Sequence, residues 1–513
     1  MNQKNVCFGA GALRIEDIVR LSRREAKAHL SPDPLFRERI QAGADFLDKL
    51  LLEDGVIYGV TTGYGDSCTV AVPAGLVDEL PLHLTRFHGC GLGEHFDKPT
   101  VRAILAVRLC SLAQGYSGVS WELLERLTLM LNEDILPLIP EEGSVGASGD
   151  LTPLSYIASA LVGENRVHFR GQIISSQEAF NRLGFQPYHL RPKEALALMN
   201  GTAVMTAVAC LNFDKADYFS RLSSRITSLA CYALGGNAQH FDEHLFQVKP
   251  HAGQQQVAQW IRHDLGEIPA ERNSARLQDR YSIRCAPHIV GALKDALPWL
   301  RETIENELNS ANDNPIIDAE REQVLHGGHF YGGHIAMAMD TLKTQVANLA
   351  DLHDRQMALL MDQKVNNGLP ANLSGADSSR ASVNHGFKAV QIGCSAWTAE
   401  ALKLTMPASV FSRSTECHNQ DKVSMGTIAA RDCVRVLELT AQVVTATLLA
   451  SCQGGRLRQK MESAPESLSI DVENMLNDIE KEFAPVNEDR ALEGELRFWL
   501  EQLTEKRWCL YTY

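Results

Sequence analysis

Three long stretches of the chain contain no proline: residues 193–249, 316–369 and 408–464. Within the second stretch, residues 334–367 also contain no glycine. Because proline breaks helices and glycine weakens them, such stretches favour long helices. At ~1.5 Å per residue, a helix over residues 334–367 would be about 50 Å long.

Apolar residues recur along residues 334–367 at alternating intervals of four and three. They are Ile335, Met339, Leu342, Val346 and Leu349. This spacing places them on one face, as in helices packed against nearly parallel neighbours. Residues 427–453 also lack proline and glycine and carry a similar apolar stripe. The sequence therefore predicts a bundle of long helices.

The remainder of the chain differs on either side of this bundle. Residues 1–200 contain shorter helical patterns, many glycines between residues 55 and 100, and one short predicted hairpin at 166–174, which indicates a loop-rich N-terminal domain. Residues 466–513 are charged and have a helical pattern. We expect a mainly α protein with an N-terminal domain (1–200), a central bundle (201–465) and peripheral C-terminal helices (466–513).

Composition excludes several classes of protein. The net charge of −14 argues against a nucleic-acid partner or an anionic membrane surface. The first residues contain no long apolar segment, and no run of 18 apolar residues occurs. None of the 12 cysteines forms a Cys-x-x-Cys pair, so neither a disulfide framework nor a zinc ribbon is indicated. We expect a cytoplasmic protein.

A glycine-rich segment contains Ala147, Ser148 and Gly149, whose small side chains leave the backbone nearly bare. The Gly149 nitrogen could attack the Ala147 carbonyl carbon, and loss of the Ser148 hydroxyl as water would leave an alkene conjugated to an imidazolone. Such an alkene accepts amines, whereas proteins normally obtain electron sinks from cofactors. We expect Asp150 to cap the following helix, whose first turn contains Pro153.

Other interpretations of this segment are weaker. Its glycine spacing is not the dinucleotide fingerprint, and no lysine follows as in a phosphate-binding P-loop. A serine nucleophile elbow needs Gly-x-Ser-x-Gly, but Asp150 occupies the last position. A plain turn remains the alternative.

Two single polar residues, Tyr58 and Asn200, are candidates for a functional site. Tyr58 lies in a glycine-rich segment, and its phenol could act as a base if a nearby cation lowered its pKa. A tyrosine in a loop can also simply pack its ring. Asn200 interrupts an apolar helical run, and a buried amide requires a specific partner.

Two further polar groups are candidates for ligand binding. Gln278, Tyr281 and Arg284 follow one another at intervals of three, and arginine binds carboxylates with two parallel hydrogen bonds. The alternative is a solvated charged turn. Asn419 and Gln420 precede a predicted helix. Their segment could simply cap this helix, or it could present Gln420 to a ligand.

A rival motif occurs at residues 240–244. His240 and His244, with Glu243, fit the pattern His-x-x-Glu-His of inverted zinc hydrolases. Three fixed positions match by chance often in a chain with 17 histidines and 63 acidic residues. We therefore predict no metal site.

Six segments of the chain match one family in order and spacing. They are Tyr58-Gly59 with Thr62-Gly63-Tyr64-Gly65, Ala147-Ser148-Gly149-Asp150, Asn200-Gly201-Thr202, Gln278-Asp279-Arg280-Tyr281 with Arg284, Asn312-Asp313-Asn314-Pro315, and Asn419-Gln420-Asp421. Over about residues 10–460, the chain resembles the aromatic amino acid ammonia-lyases, which include the histidine, phenylalanine and tyrosine enzymes and related aminomutases.

The resemblance implies a long-helix bundle of the ammonia-lyase (fumarase/aspartase-like) type, assembled as a homotetramer with residues of three subunits at each site. It implies that Ala147, Ser148 and Gly149 cyclise into methylidene-imidazolone (MIO) without an external cofactor. Tyr58 would take the β-proton and Arg284 would bind the substrate carboxylate. Other residues would position substrate and prosthetic group: Asn200, Gln278, Tyr281, Phe330, Asn419 and Gln420.

Two places in the sequence, Gln420 and the pair Phe87–His88, bear on the identity of the substrate. Histidine ammonia-lyases have glutamate where this chain has Gln420, which instead matches the phenylalanine and tyrosine enzymes. Phe87 resembles the phenylalanine enzymes, whereas His88 matches some tyrosine-specific members, where it can hydrogen-bond a phenol. The family usually has asparagine at His329. The resemblance favours tyrosine, then phenylalanine, then histidine, and an aminomutase would share the same residues.

Overall fold

A computed structural model describes residues 5–53, 55–266, 276–461 and 468–511, and most of these residues are helical. The mainly α prediction is confirmed. The helices are α1 (Ile15–Ser22), α2 (Pro34–Leu52), α3 (Leu80–His88), α4 (Lys98–Leu112), α5 (Trp121–Glu133), α6 (Leu151–Leu161), α7 (Ser176–Arg182), α8 (Glu194–Met199), α9 (Ala203–Ala233), α10 (Glu243–Gln247), α11 (Ala252–Asp264), α12 (Tyr281–Arg284), α13 (Ala286–Leu308), α14 (Gly333–Met361), α15 (Lys388–Lys403), α16 (Gly426–Gln459), α17 (Ile470–Glu480) and α18 (Glu493–Thr504).

Within the described ranges, the strands are short and form four small sheets. They are β1 (Asn5–Phe8), β2 (Lys27–Leu30), β3 (Leu92–His95), β4 (Leu136–Pro137), β5 (Pro140–Glu142), β6 (Arg166–Phe169), β7 (Gln172–Ser175), β8 (Ile316–Asp318) and β9 (Gln323–Leu325). β1 pairs with β2 in parallel, whereas β3–β5, β4–β6–β7 and β8–β9 are antiparallel. The predicted hairpin is confirmed as β6 and β7.

Contacts divide the chain into two compact units. The first contains the described residues up to Asp214, with Arg301–Asp340 and Pro407–Arg431. The second contains Lys215–Leu300, Thr341–Met406 and the described residues from Asp432 onward. The three domains inferred from the sequence stay a prediction.

The two predicted long helices are confirmed, with different ends. All five residues of the predicted stripe in α14 are buried, but the helix ends at Met361. Helix α16 instead continues past the predicted end, through Gly454 and Gly455. A side chain at Gly454 would crowd the Ala233 side chain at 3.1 Å, so the close approach of α16 to α9 favours a glycine here despite its low helix propensity.

Among the residues that the structure describes, one helix is long and apolar enough to cross a membrane. It is α16 (Gly426–Gln459), and 78% of its most apolar window is buried inside the protein.

Candidate active site

The backbone at Ser148 adopts a conformation that few residues tolerate. Ser148 has φ +53° and Gly149 has φ +78°, both in the left-handed region. A Cβ on Gly149 would overlap the Gly201 carbonyl group, so only glycine fits there. A non-glycine residue held in the left-handed region costs about 1–3 kcal/mol and occurs often at functional sites.

A second segment holds this strained backbone in place. Gly149 and Gly201 form a parallel β-bridge, with Asp150 N donating to Gly201 O at 2.8 Å and Gly201 N donating to Ser148 O at 3.2 Å. Asn200 Nδ2 also donates to Ser148 O at 2.9 Å. The other end of the Asn200 amide accepts from Asn314 N at 2.6 Å. Asn200 thus has the specific partners that its buried position requires.

Asp150 does not act as the local helix cap that the sequence predicts. It occupies the N-cap position of α6, but its side chain makes no cap hydrogen bond there. Its carboxylate instead accepts from Val204 N and Met205 N, both at 3.0 Å, at the start of α9. Ser144 and Thr427 donate their hydroxyls to the other oxygen. Burial raises the pKa of Asp150, although these four donors act against that shift.

A buried arginine lies against the Asn200–Gly201 segment. Arg108 Nη1 donates to Asn200 O at 3.1 Å and to Asn312 Oδ1 at 3.3 Å. A Cβ on Gly201 would overlap both side chains. Burial lowers the pKa of Arg108 to about 10, while Asp313 and Asp150 favour its charged form. The segment that contacts Ser148 is therefore packed closely on its inner side.

Gln420 contacts Ser148 through its side-chain amide. Thr415 Oγ1 donates to Gln420 Oε1 at 3.0 Å, which directs Nε2 of the same amide toward Ser148. Gln420 Nε2 donates to Ser148 Oγ at 3.1 Å. Thr415 and Gln420 also form an antiparallel bridge that closes the turn between them, called here the 415–420 turn.

Ser148 opens into a cavity of about 710 Å³ in the first unit. Nine of the predicted site residues line it: Tyr58, Phe87, His88, Ala147, Ser148, Asn200, Phe330, Asn419 and Gln420. Gly149 lies directly beside them and faces Gly201. The structure thus brings most of the predicted site together around Ser148.

Tyr58 lies in a loop of residues 57–70, called here the Tyr58 loop. Apolar packing of Ile57 and Val60 on α2 holds one end, and Tyr58 Oη accepts from Gly65 N at 2.7 Å. Burial raises the pKa of Tyr58, and the Glu416 carboxylate raises it further. This direction is opposite to the one that a tyrosine base requires, and the described residues lining the cavity do not reverse it.

Phe87 and His88 lie side by side at the end of α3, with ring centroids 4.2 Å apart. His88 Nδ1 is 3.1 Å from Leu84 O. Because a carbonyl oxygen only accepts, Nδ1 carries the proton, and Nε2 of the neutral ring is an acceptor without a partner among the described residues. Burial lowers the pKa of His88 and so favours this neutral form.

Three predicted residues lie elsewhere. Gln278, Tyr281 and Arg284 belong to the second unit and do not line this cavity in the single chain. Arg284 stacks over the Tyr281 ring at 4.7 Å, and its Nε donates to Asp279 O at 2.9 Å. Tyr281 is 71% exposed. Their roles stay predictions.

Sequence reasoning missed several polar residues of the cavity. They are His326, Tyr331, Glu416 and Lys422. All four lie within four residues of a predicted position, and this proximity was the available signal. Proximity alone does not show that the Glu416 side chain reaches the cavity, because an unusual backbone turn directs it there.

The two histidines of the His-x-x-Glu-His motif, His240 and His244, make hydrogen bonds within the protein. His240 Nε2 accepts from Asp279 N at 3.0 Å, so this nitrogen is occupied. His244 Nδ1 pairs with the Gln247 amide oxygen at 3.1 Å. Within the described residues, no group of three or more His, Cys, Asp or Glu side chains could hold a metal ion.

Comparison with known proteins adds independent information. The family model described as aromatic amino acid lyase matches residues 13–481. The histidine ammonia-lyase of Alkaliphilus oremlandii is 36% identical over 453 residues, which is 88% of each chain. The human enzyme of that name is 35% identical over 88% of this chain and 69% of its own. A tyrosine aminomutase from Streptomyces globisporus superposes with a TM-score of 0.91 at 31% identity, covering 98% of this chain and 97% of its own.

Proposed function

Because the chain belongs to the aromatic amino acid lyase family and is therefore a carbon–nitrogen lyase, we propose that it eliminates ammonia from tyrosine to give trans-4-hydroxycinnamate (p-coumarate). The observation that carries the choice of tyrosine is the free acceptor nitrogen of His88 in the Ser148 cavity. The protein would act as a cytoplasmic homotetramer.

The residues around Ser148 fit the formation of MIO. Cyclisation requires the Gly149 nitrogen to approach the Ala147 carbonyl carbon, and the left-handed backbone of Ser148 and Gly149 already folds this segment tightly. Asn200 holds Ser148 O and Gln420 contacts Ser148 Oγ, the oxygen that would leave. The group would supply an alkene that accepts the substrate amine.

The substrate ring would lie against Phe87 and His88. Phe87 offers an apolar face, and neutral His88 offers Nε2 as an acceptor for a phenol hydroxyl. A tyrosine hydroxyl buried there would have a partner, whereas phenylalanine would leave the acceptor unpaired. This difference favours tyrosine over phenylalanine.

Proton removal and carboxylate binding would require neighbouring subunits. Tyr58 would take the β-proton, but its pKa in the single chain is raised. A cation beside the phenol would reverse that shift. Arg284, with Gln278 and Tyr281, would be brought to the cavity of another subunit, where the guanidinium would bind the substrate carboxylate.

Two alternatives have specific support. The first alternative is a histidine ammonia-lyase, because relatives of this chain carry that name. Gln420 argues against it, since this position would hold a charged glutamate in such an enzyme. An aminomutase is favoured by the high structural similarity to the tyrosine aminomutase. It would differ by returning ammonia to the product to give a β-amino acid.

The mass of the intact protein tests the electrophile. Ring closure releases the Ala147 carbonyl oxygen as one water and the Ser148 hydroxyl leaves as a second, so the mass should lie two waters below the encoded value. Ser148→Ala should remove turnover and leave an uncyclised chain of unreduced mass. An active enzyme of unreduced mass would overturn the MIO proposal.

Ultraviolet absorbance then tests the substrate. The protein is incubated separately with tyrosine, phenylalanine and histidine, and products are checked for β-amino acids by chromatography. We expect the fastest rise in absorbance with tyrosine. A rise with histidine alone would contradict our interpretation of Gln420, and a β-amino acid as main product would identify an aminomutase.

A further inference from the structure

Glu416 contacts the Tyr58 loop from the 415–420 turn. Both carboxylate oxygens accept from Asp66 N, at 2.9 and 3.1 Å. The preceding amide, Gly65 N, donates to Tyr58 Oη. Two successive amides therefore bind the Glu416 carboxylate and the Tyr58 phenol, so the position of one acceptor constrains the position of the other.

The contact depends on a glycine. Gly65 has φ +59°, and a Cβ there would overlap the Glu416 carboxylate. Gly65 begins a short 3-10 turn, in which Ser67 N donates to Tyr64 O at 3.0 Å. The carboxylate thus lies directly against the backbone that holds the phenol.

An unusual backbone directs Glu416 toward this loop. Glu416, Cys417 and His418 have φ of +50°, +52° and +68°. Three successive non-glycine residues in the left-handed region cost about 1–2 kcal/mol each. Asn419 N donates to Glu416 O at 2.9 Å, inside the bridge between Thr415 and Gln420. The surrounding contacts maintain a strained turn that presents Glu416 at one end and Gln420 at the other.

We propose that Glu416 is a positioning residue, which rests on the proposed function: it holds the Gly65–Asp66 amides so that the Tyr58 phenol faces the substrate beside Ser148. The 415–420 turn thereby fixes the base and the electrophile relative to each other, because Gln420 contacts Ser148 Oγ.

Two substitutions separate the hydrogen bond from the charge. Glu416→Ala removes both, and we expect kcat to fall about tenfold to hundredfold, since small displacements of a catalytic group have effects of that size. Glu416→Gln keeps an acceptor but removes the charge, and we expect a smaller fall in kcat.

The pH profile provides a readout that a purely structural role would not change. Burial raises the pKa of Tyr58, the hydrogen bond from Gly65 N acts against that shift, and Glu416 and Cys68 raise the pKa further. Glu416→Gln keeps an acceptor for Asp66 N, so the bond from Gly65 N should persist. Removing the Glu416 charge lowers the Tyr58 pKa. The rising limb of kcat against pH should therefore move to lower pH in Glu416→Gln.

Glycine substitutions provide a matched pair. Gly65→Ala should displace the carboxylate and reduce kcat as Glu416→Ala does. Gly171→Ala is the control, because Gly171 also has a left-handed φ of +80° but a Cβ there would contact nothing within 4 Å, and it should leave kcat unchanged. If Gly65→Ala fails to fold, the two Glu416 variants still decide the question.

Hydrogen exchange separates this proposal from the proposed function. In Glu416→Ala the Asp66 amide should exchange about tenfold faster, because it loses a charge-assisted hydrogen bond, while the mass deficit of two waters remains. Unchanged kcat, pH profile and exchange would overturn the positioning role. Loss of the mass deficit would also overturn it, since Glu416 would then act on cyclisation. If the wild-type protein has no mass deficit but the Asp66 amide still exchanges faster in Glu416→Ala, only the proposed function is rejected.

Discussion

Asp150 and Glu416 are two carboxylates near Ser148, called here the inner and the outer side of the site, and their environments contrast. Asp150 is fully buried and accepts four hydrogen bonds, two of them from the start of α9. Glu416 is exposed and accepts from one amide. The inner side of the site is built to hold a strained backbone still. On the outer side, Glu416 contacts the Tyr58 loop through Asp66 N alone.

The largest effect should come from the inner side. In Gly149→Ala the new Cβ overlaps the Gly201 carbonyl, so the backbone must move and we expect complete loss of the mass deficit and of turnover. Gly184→Ala is the control, because Gly184 has φ +79° with nothing within 4 Å of a Cβ. A Gly149→Ala protein with the full mass deficit would show that the inner side is not rigid.

Stability should separate the two carboxylates. Asp150→Ala leaves Val204 N and Met205 N without an acceptor, and each unsatisfied buried amide costs about 1–3 kcal/mol. We expect a loss of about 2–5 kcal/mol in the free energy of unfolding. Glu416→Ala should change it little. Urea unfolding of both variants measures the difference, and equal losses would remove the contrast between the two sides.

The preference for tyrosine over phenylalanine should depend on His88, which lines the cavity. In His88→Phe the acceptor nitrogen is lost, so kcat/KM for tyrosine should fall about tenfold to hundredfold, while that for phenylalanine should be kept or rise. His83→Phe, an exposed residue of the same helix that does not line the cavity, is the control. An unchanged ratio of the two substrates would show that His88 does not contact the ring.

The smallest effect concerns pH. Burial lowers the pKa of His88 below its ordinary value of 6.5, so most of the rings are still neutral at pH 6.5. Nε2 remains an acceptor until the pH falls through that lowered pKa. The tyrosine-to-phenylalanine ratio of kcat/KM should be constant from pH 8 to pH 6.5 and fall only below it. A fall already near pH 7 would indicate a raised pKa and a charged ring.

Local patterns predicted the helices and much of the site. The apolar stripe of α14 and the absence of proline gave the helix correctly, because both act along one element. The end of α14 at Met361 and the continuation of α16 beyond Gly454 were not predicted, because both depend on packing between elements. Asn200 was correctly predicted to have a specific partner, because a buried amide requires one wherever it lies.

Distant contacts explain what the sequence did not reveal. The capping rule considers only the helix that follows Asp150, whereas its carboxylate binds α9, which begins more than fifty residues later. Glu416 escaped notice because three successive left-handed residues are disfavoured by every local propensity. Arg284 remains a prediction, since the single chain does not bring it to the cavity.

The hydrogen bond from Gln420 to Ser148 Oγ can exist only before Ser148 loses its hydroxyl. If Ser148 dehydrates as proposed, the acceptor of this bond leaves as water once in the life of each chain. Thr415 still fixes the orientation of the amide through Oε1, so Nε2 would afterwards point at the same place with no partner. The side chain that orders the serine during maturation would then be free to donate to each substrate molecule that follows.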